Sequence, residues 1–477
     1  MRRAWPLGVT LLLGGCSLAP PLAPPDVSVP AAFKEAAALA PDPGNDQWRP
    51  AAPADDASRA GWWTVFGDPL LNHFESRVLA ANQTLAASLA RLEASRALVD
   101  VARAARLPRL DGNASVVRTR LSESQPLAPL PGGIMYNNFQ YGVTAQYELD
   151  LFGRVRDSVQ AARADAAAET ALFESLSLSV TADVAQVYFL LRAADAELAV
   201  LGEALASREA THRLFEQRLA AGDVSRLDVD RTRAELEIAR AEVQAVTRQR
   251  AQYEHALAVL LGVAPAEFSV APAPVAAGRL PAIPAGVPST LLERRPDIAA
   301  AQRRMEAANA RIGVARAAFY PLVNLTASAG FSAATAGELF EWGSRTWALG
   351  PLAGALIAGP LFDGGRNRAN LSRAEAALDA EIASYRNTVL GAFREVEDQL
   401  VAITTLGEQA SSTDAAAAAA ASAHAVARAR FEAGATGTLD LLEAERTLLT
   451  LRRQQAQLAG QRAVATAGLV RALGGGW

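Results

Sequence analysis

The sequence predicts a mixed α/β fold of two similar halves, in which very long helices extend from β-hairpins suited to a membrane. Three observations carry that prediction. First, landmarks recur in the same order at an offset of about 212 residues. Leu107-Pro108 returns as Tyr320-Pro321, Leu151-Phe152-Gly153-Arg154 as Leu361-Phe362-Asp363-Gly364-Gly365-Arg366, and Arg-Leu-Ala-Ala-Gly ending at Gly222 as Arg-Phe-Glu-Ala-Gly ending at Gly434. Second, after each of those prolines the apolar period changes from helical to two. Third, each alternating stretch leads into a helical pattern with an apolar residue every three or four positions, sustained far beyond the length a compact domain uses.

The N-terminus reads as an export signal. Arg2 and Arg3 precede a short apolar run from Trp5 to Leu13, too short to remain as a membrane-spanning helix, so residues 1–15 are expected to be a signal peptide. Leu13-Gly14-Gly15-Cys16 resembles the bacterial lipobox, which implies that Cys16 becomes the first mature residue, carrying an N-acyl chain and an S-diacylglycerol. Ser17 follows it, rather than the Asp that would suggest retention at the inner membrane. No other cofactor is expected. Cys16 is the chain's single cysteine, so no internal disulfide can form.

Of the 477 residues 51% are hydrophobic but only 6% aromatic, with alanine supplying much of the excess, which favours closely packed helices. The net charge is −4 with Lys and Arg scattered among acids, so nucleic acid is not an expected partner. Beyond the signal no run of 18 apolar residues exists. Membrane contact must then come from lipid or from strands.

Taken in order, residues 16–60 are rich in Pro and Ala without periodicity and read as an acylated, extended tether. The first repeat, 61–262, opens with Trp62-Trp63, Phe66 and Asp68-Pro69-Leu70, where proline fits a first helical turn, and a helix is expected to run to Leu107. A hairpin follows at about 109–152. From Phe139 to Leu151 the odd positions are Phe, Tyr, Val, Ala, Tyr, Leu and Leu, and the even ones polar or Gly, so one face is apolar and the other wet. From Arg154 to Leu201 there is neither Pro nor Gly, and Leu176, Val180, Val184, Val187, Leu191, Ala194, Leu198, Leu201 and Leu205 keep the stripe. The chain turns at Ala221-Gly222-Asp223 and returns through Leu227 to Leu261. A Pro/Ala-rich linker, 263–288, leads to the second repeat, 289–477. Its hairpin is expected at about 322–361, where Val323, Leu325, Ala327, Ala329 and Phe331 alternate with polar residues or Gly. Its long helix carries Leu378, Ile382, Tyr385, Val389, Phe393, Val396, Leu400 and Ile403, turns at Gly434 to Gly437, and returns through Leu439 to Leu473.

Strands of about 12 residues, rising about 3.3 Å each, are long enough to cross the roughly 30 Å hydrocarbon layer. In lipid every strand edge must be paired, so the sheet must close. Four strands cannot close alone, because membrane barrels start at about eight. Several chains must therefore share one barrel; two would leave little lumen, and three would give about twelve strands and a passage. The signal, the Trp62-Trp63-x-x-Phe66-x-Asp68-Pro69 opening, both hairpins and the Gly-turned helical pairs resemble the outer membrane factor family of tripartite efflux systems, in its NodT-type lipoprotein branch. That resemblance covers nearly all of the mature chain. It implies a homotrimer with a shared twelve-stranded transmembrane β-barrel, four strands per chain, continuing into a twelve-helix periplasmic α-barrel. It also implies the cell outer membrane as the location, a periplasmic adaptor protein, an RND-type inner-membrane pump, and small-molecule or metal-ion cargo. Two other readings stay open: the duct of a type I protein secretion system, and a non-conducting, lipid-anchored coiled-coil scaffold.

No catalytic or metal constellation is visible, since His73, His212, His255 and His424 are scattered along helices without a second ligand at metal spacing. An enzyme is not expected. The informative residues lie at the two helical turns, where Ser225-x-Leu227-Asp228 corresponds to Gly437-x-Leu439-Asp440. The resemblance makes this the periplasmic gate, with Asp440 and Glu443 at its acidic positions, Arg446 at a basic one and Asp228 as the first-half acid. The adaptor contacts it implies are Gly222, Ser225, Leu227, Gly434, Thr438 and Leu439. Asp228 equally fits a helix cap, and Glu443 with Arg446 fits a surface pair three residues apart.

Overall fold

The computed structural model describes residues 17–23, 25–35, 61–122, 135–273, 281, 288, 291, 294–350 and 355–475. The expected signal peptide, Cys16, the later part of the tether and much of the linker lie outside the described residues.

The elements repeat almost residue for residue. In the first repeat a 3-10 turn, Trp62–Phe66, precedes α1 (Pro69–Ala81) and α2 (Gln83–Ala104), then β1 (Arg109–Arg120), β2 (Met135–Leu149), α3 (Arg154–Ala220) and α4 (Arg226–Leu260). The second runs α5 (Pro296–Ala317), β3 (Leu322–Ala333), β4 (Arg345–Leu349), β5 (Ala355–Ala358), α6 (Arg366–Glu432) and α7 (Thr438–Ala472). α2 and α5 both have 22 residues, α3 and α6 both 67, and α4 and α7 both 35. At 1.5 Å per residue a helix of that greater length spans about 100 Å.

Compactness does not follow the repeats. One unit combines Arg91–Thr170 and Ala300–Arg386 with the described residues from Ser17 up to Asp26, and therefore holds the whole sheet. The other combines Val27–Ala90, Ala171–Ala299 and Asn387–Trp477. Each unit draws on both repeats because neither repeat can cover its own apolar stripe.

In the first unit the sheet is antiparallel in the order β1-β2-β3-β4, with β5 also paired to β3. β4 and β5 share one partner strand, so together they fill the place of a fourth strand. The chain start is strapped to α3 and α5. Ser17 Oγ donates to Asp157 Oδ1 at 2.7 Å, Asn309 Nδ2 donates to the Pro20 carbonyl at 2.9 Å, and Arg316 Nη1 to the Leu18 carbonyl at 3.3 Å. Gly313 lies between Asn309 and Arg316 on the same helical face, where any Cβ would collide with Asp157 and the Ala19 N–H.

In the second unit the main core joins Trp62, Trp63, Leu71, Phe74 and Val78 to Val184, Tyr188, Leu191, Leu257 and Val470. Asp68 caps α1 by accepting from the Leu70 and Leu71 N–H groups at 2.9 and 3.1 Å, and its other oxygen accepts from the Tyr188 hydroxyl. The single helix expected up to Leu107 is in fact two. Asn82 breaks it: its Oδ1 accepts from the N–H groups of Thr84 and Leu85, and its Nδ2 donates to the Leu260 carbonyl at 2.8 Å. The stripe read from α3 is buried at Val180, Val184, Leu191, Ala194 and Leu201, and that of α6 at Val389, Phe393, Val396 and Leu400. The described start of the linker is not free chain, because Arg192 Nη1 donates to the Ala271 carbonyl and Arg250 Nη2 to that of Val270.

Candidate functional site

Residues directly opposite in a sheet share a face, so the pairing assigns every strand residue to one side. One set of rows reads Leu110–Ala145–Ala327–Leu349, Gly112–Val143–Ala329–Trp347, Ala114–Tyr141–Phe331 and Val116–Phe139–Ala333. The intervening rows read Asp111–Thr144–Ser328–Ala348, Asn113–Gly142–Gly330–Thr346 and Ser115–Gln140–Ser332. One face is thus mostly apolar, with Arg345 completing the Phe331 row and Arg118 and Arg120 further along β1 at that same end, and the other is mostly polar or glycine. The apolar face is uncovered: Trp347 is 76% exposed, and Leu110 and Val116 69% each. A continuous open apolar face of this kind suits contact with lipid.

The other candidate region is the pair of helical turns in the second unit. The Gly222 N–H donates to the Leu219 carbonyl at 3.0 Å and the Asp223 N–H to that of Arg218 at 2.9 Å, while Gly434 and Ala435 donate to Phe431 and Arg430 at 2.9 and 2.8 Å. Both glycines are left-handed, at φ 83° and 71°, the conformation such a helix stop requires. The turns lie together: the Phe215 and Phe431 rings stack with centroids 6.0 Å apart, and the Arg218 guanidinium sits 5.9 Å over the Phe431 ring.

Beyond the turns the two repeats differ. Ser225 and Asp228 form a reciprocal capping box: Asp228 Oδ2 accepts from the Ser225 N–H at 3.3 Å and from its hydroxyl at 2.6 Å, and Ser225 Oγ accepts from the Asp228 N–H at 3.3 Å. The Asp228 carboxylate is therefore engaged in starting α4. Gly437 offers no such side chain, which leaves Asp440 in the first turn of α7 without that duty. Asp440 and Glu443 are exposed and have no side-chain partner among the described residues. Leu227 and Leu439 are exposed at equivalent positions, at 58% and 57%, whereas Thr438 is buried.

Arg446 does not pair with Glu443. It reaches across to Glu235 on α4, which Arg208 of α3 also holds, at 3.3 Å to the carboxylate and 3.0 Å to the backbone carbonyl. Two turns further along α7, Arg453 bridges Glu197 on α3 and Glu242 on α4, at 2.9 and 3.0 Å. Glu235 is a residue that sequence reasoning overlooks although its signal is present, since it falls in the buried stripe of α4 with Val229, Thr232, Leu236 and Ala239. A charge in such a stripe needs a partner. Glu197, Glu242 and Arg453 give no comparable signal, because long side chains on half-exposed helix faces resemble ordinary surface. No group of residues that could hold a metal ion occurs among the described residues. His212 instead meets the Thr232 hydroxyl at 3.0 Å.

Comparison with known proteins agrees with this layout. The outer membrane efflux protein family matches residues 75–263 and again 287–475, one match per repeat. The chain is 37% identical over 474 residues to outer membrane protein OprJ of Pseudomonas aeruginosa, covering 98% of this chain and 95% of that one. It is 35% identical over 476 residues to the toluene efflux pump outer membrane protein TtgI of Pseudomonas putida, covering 100% and 98%. Among solved structures, the CmeC outer membrane channel of Campylobacter jejuni superposes with a TM-score of 0.86 at 26% identity, over 97% of this chain and 95% of that one.

Proposed function

This chain belongs to the outer membrane efflux protein family and works as an outer membrane efflux channel, and we propose that it does so as a homotrimer whose three sheets close one barrel. The observation that carries this reading is the largely apolar face, shared by all the strands, on a sheet whose outer strands, β1 on one side and β4 with β5 on the other, each have a single partner strand among the described residues. Such edges are untenable in hydrocarbon unless another sheet pairs with them. Three copies of four strand positions give the twelve that leave a passage. Lipid on Cys16 adds a second anchor.

The helical turns form the periplasmic mouth. Threefold symmetry brings the free carboxylates of Asp440 and Glu443 together, so the closed mouth repels anions and concentrates cations. The ion pair of Arg446 with Glu235 holds α7 against α4 behind that ring, and Asp228 supports it by fixing the start of α4 rather than by facing the passage. A periplasmic adaptor docks on the turns at Gly222, Ser225, Leu227, Gly434 and Leu439, with Thr438 packed beneath, and links the channel to an RND-type inner-membrane pump. The cargo is small organic molecules, by analogy with a relative named for toluene efflux. Single-channel recording in a planar bilayer tests this directly. Asp440→Ala with Glu443→Ala should raise conductance and reduce cation preference, and unchanged values in both would refute the assignment.

A further inference from the structure

The apolar face of the sheet does not stay apolar to its end. Along β1 it carries Leu110, Gly112, Ala114 and Val116, about 20 Å of strand at 3.3 Å per residue, and then Arg118 and Arg120. β1 and β3 both have 12 residues, so Arg118 and Phe331 hold the same place in their strands, and Arg345 of β4 is opposite Phe331. Three arginines therefore mark one level of the same face. It is the level of the hairpin connections, since the helices join the opposite strand ends, at Arg109 and Leu149 in the first repeat. All three are exposed, on a chain whose net charge is −4.

Aromatic rings accompany them. Phe340, in the connection between β3 and β4, packs edge-on against Phe331 and Tyr141 of that face, with centroids 5.7 and 6.1 Å apart, yet is 69% exposed. Trp342 is 75% exposed. It holds Arg345 in place: the guanidinium carbon lies 3.1 Å from the indole centroid, and Nε donates to the Trp342 carbonyl at 2.6 Å. Arg118 Nη2 meets Met135 Sδ at 3.2 Å. Neither Arg118 nor Arg345 has a carboxylate partner among the described residues, although Glu338 and Glu341 lie in the same connection as Trp342.

An arginine on the lipid side of a barrel wall is strongly destabilising at mid-membrane and tolerated near the interface, where aromatic girdles also lie. A guanidinium at that depth meets water or an anion, and a phosphate accepts two parallel hydrogen bonds from it. Because the helices extend into the periplasm, the hairpin connections and this level belong to the outer leaflet. We propose that Arg118, Arg120 and Arg345 form a binding site for the phosphorylated headgroup of an outer-leaflet lipid, whose acyl chains lie along Val116, Tyr141 and Trp347. The occupant is a lipid rather than a soluble anion because the arginines border an uncovered apolar face, and one amphiphile matches both. The inference rests on the membrane barrel proposed above and adds the lipid it selects.

Native mass spectrometry of the full-length, delipidated oligomer in detergent reads the binding. Titrated with diphosphorylated lipid A, the parent protein should hold the lipid about tenfold or more tighter than a variant carrying Arg118→Gln, Arg120→Gln and Arg345→Gln. It should also hold that lipid tighter than dephosphorylated lipid A or phosphatidylcholine. Equal affinity of parent and triple variant, at the same native mass, overturns the site. Equal retention of the phosphate-free lipids by the parent overturns phosphate recognition, and this comparison requires no variant to fold. Displacement of lipid A by an equal concentration of inorganic phosphate overturns the lipid as occupant and assigns the arginines to a soluble anion. A parent protein that is monomeric and soluble without detergent overturns the barrel reading, and the site with it, whereas a stable trimer without phosphate preference overturns the site alone.

Discussion

Glu75 offers a prediction whose size follows from its surroundings. It lies on the face of α1 that also carries Leu71, Phe74 and Val78, its exposure is 0%, and neither carboxyl oxygen has a partner among the described residues. Burial alone pushes its pKa from the ordinary 4.5 up to about 9, so at neutral pH the side chain is a protonated acid. The folded chain keeps this proton between those two values while the unfolded chain releases it. Stability therefore falls as pH rises through that interval, by up to about 1.4 kcal/mol per unit, and levels off above the folded value. From about pH 5 to pH 7 the loss is roughly 3 kcal/mol at most. Glu75→Gln should abolish this slope while keeping the shape. Glu75→Leu should abolish it and also remove an unpaired buried polar group, worth about 1–3 kcal/mol. Denaturant unfolding of the detergent-solubilised protein, followed by the fluorescence of Trp62 and Trp63 in the adjoining core, reports the difference at each pH. Parallel curves for the wild type and both variants between about pH 5 and pH 8 would refute the reasoning.

The remaining predictions concern the turns and the tether. Arg446→Ala leaves the buried Glu235 with Arg208 alone, so it should loosen α7 from α4 and raise the open probability of the channel in a bilayer, with a smaller change in ion preference than the loss of Asp440 and Glu443. Asp228→Ala removes the N3 half of a capping box and should cost about 0.3–1 kcal/mol of local stability, seen as faster hydrogen exchange at the start of α4, with conductance little changed. Gly313→Leu puts a side chain where Asp157 and the Ala19 N–H now lie, and should expose residues 17–26 to protease while leaving the sheet intact.

The long elements are legible in the sequence because their signals are long. Thirteen alternating residues from Phe139 to Leu151, the first eleven of them in β2, and stripes sustained over α3 and α6 leave little room for another period, and the doubled landmarks set the ends. β1 and β4 alternate poorly when read alone, as Gly112, Ala114 and Arg118 occupy the apolar side; only the pairing with β2 and β3 shows which face they share. The break at Asn82 is missed because Asn in a helical run looks like a surface residue until its amide is seen to bond the Leu260 carbonyl. Asp228 could be cap or gate from spacing alone, and the reciprocal bonds with Ser225 supply the cap that spacing only suggests. The pairing of Arg446 with Glu235 joins residues more than two hundred positions apart, and so has no local signature.

The most direct test of the shared barrel is the native mass of the lipidated protein extracted from outer membranes in mild detergent. Three chains per particle, stable in detergent and conducting when reconstituted, is the result expected. A single chain that stays folded and soluble once its lipid is removed would contradict the account.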